Sequence, residues 1–220
     1  MSYFSPLIKS LESNSNSDNA EQMSAYMKDQ FSFYGIKSPK RKELQRQFTK
    51  EYGKPENPIF ETNIKNIWGK CNRELNYIII DLLRPKRYWK EISAIELAEW
   101  MIINKSWWDT VDIIATNLVG EYFRQHPEKI EYYNAKWIHS DNMWLIRTAI
   151  IFQLKYREET DFELLKQNIR LHSHSKEFFI KKAIGWALRE HSKLFPTEVV
   201  NFIDSNKLQP LSYKEAVKYL

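Results

Sequence analysis

Four segments of related pattern recur along the chain at steps of 35, 36 and 34 residues: Arg73-Glu74-Leu75-Asn76-Tyr77-Ile78, Trp108-Asp109-Thr110-Val111-Asp112-Ile113, Trp144-Leu145-Ile146-Arg147-Thr148-Ala149 and Phe178-Phe179-Ile180-Lys181-Lys182-Ala183. Each follows a polar cap and runs into an apolar face. A period of this length, with two helices per unit, is what stacked helical repeats produce. It predicts an all-α solenoid occupying residues 1–220 as one domain, with equivalent helices lining a single concave surface. Arg73, Asp112, Arg147 and Lys181, at related positions, are then expected to share that face.

Composition agrees with helices joined by short loops: 220 residues hold only 5 glycines and 8 prolines, and the 43% hydrophobic content excludes wholesale disorder. Tyr77-Ile78-Ile79-Ile80 is β-like in isolation. Arg73–Leu83 nevertheless lacks flanking turn chemistry and continues with helical spacing, so it reads as a buried helix. The polar run Ser13–Asn19 reads as a loop between a short N-terminal helix and one around Ala20–Phe31. Ser38 is placed as an N-cap before Pro39, with the helix running through Lys40–Tyr52. Ser93 with Glu96, Ser106 with Asp109 and Ser212 with Glu215 fit the capping-box spacing. Pro127 and Pro196 each close one helix and open the next.

An excess of 33 basic over 28 acidic residues, net +5, mildly favours an anionic partner. The single Cys71 cannot form an internal disulfide, which suits a reducing cytosol. Met1-Ser2-Tyr3-Phe4 opens no basic-then-apolar signal, and no apolar run approaches the ~18 residues of a membrane span. His172 and His174 stand without a cysteine or carboxylate cluster, so no metal site is expected. Glycine-rich phosphate loops and serine nucleophile elbows are missing, and no cofactor is implied. Basic clusters at Lys37-Lys40-Arg41-Lys42, Arg84-Lys86-Arg87-Lys90 and Lys181-Lys182 can track a phosphate backbone or form a solvated face.

Chemistry concentrates near the later repeat starts. Asp112 lies one turn after Trp108, so a carboxylate and an indole project from one face. Such a pair can stabilise a sugar cation, or be a solvated aspartate beside a core tryptophan. Asp109 fits a capping role. Arg147 follows Trp144 by nearly one turn and suits bidentate capture of a phosphate, or a salt bridge to a neighbouring helix, Asp112 included. Gly185 beside Trp186 costs about 1 kcal/mol in a helix, which fits the close approach of another helix or of a ligand.

Three of the longest stretches are Lys105-Ser106-Trp107-Trp108-Asp109-Thr110-Val111-Asp112, Lys136-Trp137-Ile138-His139-Ser140-Asp141-Asn142-Met143-Trp144-Leu145-Ile146-Arg147 and Ser175-Lys176-Glu177-Phe178-Phe179-Ile180-Lys181-Lys182-Ala183-Ile184-Gly185-Trp186. With Phe152-Gln153-Leu154-Lys155-Tyr156, they resemble the AlkD family of alkylpurine DNA glycosylases. The resemblance runs from Met23 to Ser212. It implies a HEAT-like repeat solenoid with a concave DNA-binding face. The implied catalytic carboxylate is Asp112. Trp108 and Trp186 would contact the sugar, Arg147 a phosphate and Tyr26 the lesion. The implied partner is duplex DNA carrying N3- or N7-alkylated purines, bound by a monomer in a bacterial-type cytosol or nucleoid, with the damaged base left largely in the duplex. A non-catalytic relative that binds damaged or branched DNA, and a protein-interaction scaffold, are the alternatives.

Overall fold

A computed structural model describes residues 3–54, 59–91 and 93–220. Met1 and Ser2, part of the segment read above for a signal, lie outside them. Among the described residues the regular structure is entirely helical, without strands. The chain divides into two compact units, 1–88 and 89–220.

The first unit contains α1 (Ser5–Ser13), α2 (Ser17–Tyr26), α3 (Ser38–Tyr52), α4 (Ile59–Trp68) and α5 (Arg73–Leu83). Leu7 and Leu11 of α1, four residues apart, bury with Leu44 and Phe48 of α3 at the same spacing, as one apolar face of a 3.6-residue helix requires. α5 has the boundaries read from the sequence and is buried through Ile78, Ile79 and Ile80. Its Glu74, fully buried, accepts from the backbone N–H groups of Tyr34, Gly35 and Ile36 at 3.0, 2.8 and 3.0 Å. Gly35 stands at φ +81°, where an added Cβ would lie 2.0 Å from the Asn16 carbonyl oxygen. Only glycine fits there.

Several sequence expectations need correction in this unit. The run Ser13–Asn19 is mostly helical: only residues 14–16 separate α1 from α2, because the Asn16 side chain accepts from Asn19 N at 2.9 Å and caps α2. That helix covers Ser17–Tyr26 rather than extending to Phe31. Lys37, not Ser38, is the N-cap of α3, so Pro39 sits one position further in. Arg73 is fully buried, with its guanidinium 3.7 Å from the Phe31 ring centroid, and cannot line a surface.

The second unit contains α6 (Ala94–Ile103), α7 (Trp108–Ile113), α8 (Gly120–Gln125), α9 (Ile130–Ile138), α10 (Met143–Ile151), α11 (Phe162–His172), α12 (Phe178–Ser192), α13 (Pro196–Ser205) and α14 (Pro210–Ala216). A π-helical turn, Ile114–Val119, joins α7 to α8. Pro127 and Pro196 open new helical segments, as expected. The three capping boxes do not form. Ser93 precedes α6 without a side-chain cap bond. Trp107 occupies the N-cap of α7, while Ser106 Oγ donates back to Ile102 O at 2.6 Å. Ser212 lies inside α14, donating to Lys181 O at 3.0 Å. The side chains that do cap here are Asn142 and Asp161.

The repeat is visible in both helix starts and contacts. α5, α7, α10 and α12 begin at Arg73, Trp108, Met143 and Phe178, steps of 35 throughout. Side-chain hydrogen bonds join residues about one period apart: Arg147 to Asp112 (35), Tyr156 to Gly120 (36), Asn134 to Asn168 (34) and His172 to Ile138 (34).

Candidate active site

The first two turns of α7, α10 and α12 build the site. In α7 the extended backbone at Trp107 starts the helix, and the following turn brings Asp112 onto the side facing α10. Asn142 caps α10 by accepting from Trp144 N at 2.9 Å, which fixes the turn carrying Arg147. Arg147 is only 4% exposed. Its Nε donates to Asp112 Oδ1 at 2.7 Å and its Nη2 to Oδ2 at 2.8 Å, a bidentate fork, while Nη1 donates to the Phe179 carbonyl of α12 at 2.5 Å. One guanidinium thus ties three successive repeat helices together.

Burial pushes the Asp112 carboxyl above its ordinary value, against the opposing pull of the Arg147 hydrogen bonds and charge, with Asp109 adding a small upward push. The Asp112 carboxyl is thus largely withdrawn from water, with the bidentate Arg147 guanidinium as its charge partner. Both of its oxygens keep further lone pairs.

An aromatic group gathers at the starts of the same three helices. Trp144 and Phe179 have centroids 4.9 Å apart, and Trp107 packs against both at 5.9 and 5.3 Å. The Trp107 Nε1 is buried without a hydrogen-bond partner. Spacing to a carboxylate singles out Trp108; Trp107 lies within the same stretch but has Val111 one turn on, and the Phe179 contribution to the pair is a backbone carbonyl, for which no residue type is a signal.

Of the five residues singled out, the structure joins Asp112 and Arg147 directly. Trp108 stands one turn before Asp112 in the same helix, half-buried. Trp186, also half-buried, is two turns beyond Phe179 along α12, about 10 Å on by helix rise. Tyr26 belongs to the other unit, at the end of α2, and is 69% exposed. Gly185 is explained by helix packing: a Cβ there would meet Glu215 Cβ at 2.4 Å and Ser212 O at 2.7 Å, so α14 rather than a ligand makes the close approach. Among the described residues no cluster of His, Cys, Asp or Glu suits a metal ion, and no helix is long and apolar enough to cross a membrane.

As a class, this is a protein all-helical among its described residues, of 35-residue recurrence, with a buried carboxylate–guanidinium pair one turn from a tryptophan. The sequence model of the DNA alkylation repair enzyme family matches residues 7–220, and the chain belongs to that family. It is similar to a solved structure described as a predicted DNA alkylation repair enzyme from Enterococcus faecalis, at 35% identity and TM-score 0.83, covering 94% of this chain and 96% of that one. The crystal structure of smu.31 from Streptococcus mutans UA159 shares the fold at 16% identity and TM-score 0.63, over 92% and 99% of the two chains. No curated protein matches the chain.

Proposed function

We propose that this chain is a DNA glycosylase with a HEAT-like repeat scaffold that hydrolyses the N-glycosidic bond of N3- or N7-alkylated purines in duplex DNA. The observation that carries the reading is the desolvated Asp112 carboxylate, held bidentately by Arg147 beside tryptophans in a DNA alkylation repair family member. An N7-alkylated guanine carries a positive charge and leaves as a neutral base when the C1′–N9 electron pair returns to the ring. The barrier then lies in the cationic sugar. Asp112 stabilises that cation and orients the water whose oxygen bonds to C1′, its proton passing to solvent. Trp108 and Trp186 add cation–π attraction from their indole faces. Tyr26 contacts the lesion. Arg147 has five N–H donors, of which the three bonds described engage three, so two can still reach a backbone phosphate.

Full engagement of Asp112 by Arg147 also favours a second reading, in which the pair is structural and the protein binds damaged or branched DNA without cutting it. Incubation with methylated duplex DNA separates the two. Free 7-methylguanine or 3-methyladenine in the supernatant is expected for the enzyme; binding without base release would select the non-catalytic reading. A scaffold with no nucleic-acid role would show no salt-dependent binding of duplex DNA in titrations at two ionic strengths.

A further inference from the structure

On the second unit a cluster of cations gathers around one anion. Phe178, Lys182, Trp186 and Arg189 follow each other along α12 at steps of 4, 4 and 3, so they share one helix face. Because Gly185 has no side chain, α14 closes onto this helix and brings Glu215 against it. Glu215, 7% exposed, accepts from Lys182 Nζ at 2.9 Å, Arg189 Nη1 at 2.8 Å and Lys218 Nζ at 2.8 Å. Three positive charges on one carboxylate leave an excess of +2.

A helix–helix lock needs one cation for one carboxylate; this one has two more than neutrality requires. Arg189 Nη1 and Lys218 Nζ both contact Oε2, so they are no more than twice 2.8 Å apart. Each lysine ammonium keeps two further N–H donors beyond the one given to Glu215. The lysine ends remain open, with side chains 38% and 44% exposed at Lys182 and Lys218. Convergent donors with a net positive field, on a face that also carries exposed aromatic surface at Phe178, suit a tetrahedral oxyanion.

We propose that Lys182, Arg189 and Lys218, organised by Glu215, form a cradle for a single backbone phosphate of the bound DNA, next to the sugar-contacting Trp186. The inference rests on the DNA reading above and adds a phosphate site that is separate from the Asp112–Arg147 pair. Glu215 is a positioning residue here: it neutralises enough charge for the three cations to converge and leaves the rest for the ligand.

The test is fluorescence anisotropy of an undamaged duplex titrated with the full-length protein at several salt concentrations. Each phosphate neutralised contributes about −0.9 to the slope of log affinity against log salt. The double variant Lys182→Gln/Lys218→Gln removes the excess charge. It is expected to lose about 0.9 of slope, one phosphate's worth, whereas two independent surface lysines would lose about twice that. Lys218→Glu alone also brings the cluster to neutrality without altering α12, and is expected to give the same loss. Lys166→Gln, on α11, is expected to leave the slope unchanged. An unchanged slope in the double variant and in Lys218→Glu, with the wild-type slope intact, would make the cluster a structural lock only and overturn the cradle. A loss twice as large, or an equal loss in Lys166→Gln, would overturn it as diffuse surface charge. A flat wild-type response would instead overturn the DNA reading itself, and the cradle with it.

Discussion

Arg147 links the packing of three helices to the chemistry proposed for Asp112. It is buried, and its charge is matched by Asp112 alone. Removing one member of a buried pair strands the other, which typically costs about 3–5 kcal/mol. Arg147→Ala is therefore expected to lower unfolding stability by that amount in urea titrations. Arg147→Lys keeps the charge but loses the fork, and should cost about 2 kcal/mol, the scale of a charge-assisted hydrogen bond. Wild-type stability in both variants would show that the pair does not hold α7, α10 and α12 together. Glu215 gives a second residue-scale expectation. Lys218 first, with Lys182, holds its carboxyl at about 2, against an ordinary value of 4.5. A depressed folded value stabilises above the unfolded value and loses that contribution as pH falls through the folded one. Wild-type stability should thus decline between pH 4.5 and about 2 more steeply than that of Glu215→Gln. Parallel acid-unfolding curves would contradict the assignment.

At the scale of the helix, the sequence was legible where apolar spacing set the answer and misleading where short polar signals did. α5 was readable end to end because its buried run is continuous. Ser93, Ser106 and Ser212 all match a capping box; Ser93 does hold the N-cap position of α6, yet none of the three makes a side-chain cap bond. Ser106 and Ser212 turned instead to the Ile102 and Lys181 carbonyls, and Glu215 to the cations of α12 and Lys218. Competing tertiary partners decided those side chains, and such partners cannot be seen in local spacing. Gly185 left helix packing and ligand approach open; the answer is α14. Gly185→Ala would thrust a Cβ to 2.7 Å from the Ser212 carbonyl oxygen, and backbone cannot swing aside as a side-chain end can. Overpacking of this kind costs about 1–3 kcal/mol. For a chain of this size each kcal/mol lowers Tm by roughly 2–4 °C, so calorimetry should find a clear fall. An unchanged Tm would mean that the α12–α14 contact relaxes freely.

Across the whole molecule, the period was the most informative feature of the sequence, and it became helix starts spaced by 35 residues together with hydrogen bonds reaching one period away. The same spacing explains the candidate site. Asp112 and Arg147 sit at nearly equivalent places in successive repeats, so stacking alone brings a carboxylate and a guanidinium together. What the period could not disclose was which units carry charge at that place: in α5 it is held by Tyr77, and Arg73, at the head of that helix, is buried against Phe31. The proposed chemistry therefore rests on the Asp112–Arg147 pair of the second unit. The direct test is single-turnover base release from methylated duplex DNA by Asp112→Asn beside the wild type, with affinity for the same duplex measured in parallel. Asparagine keeps the size and removes the charge that the sugar cation needs. Release is expected to slow by about 10²-fold or more, the scale of losing one key electrostatic contact, while affinity stays level or rises. Equal rates for the two proteins would contradict the account and move the chemistry away from Asp112.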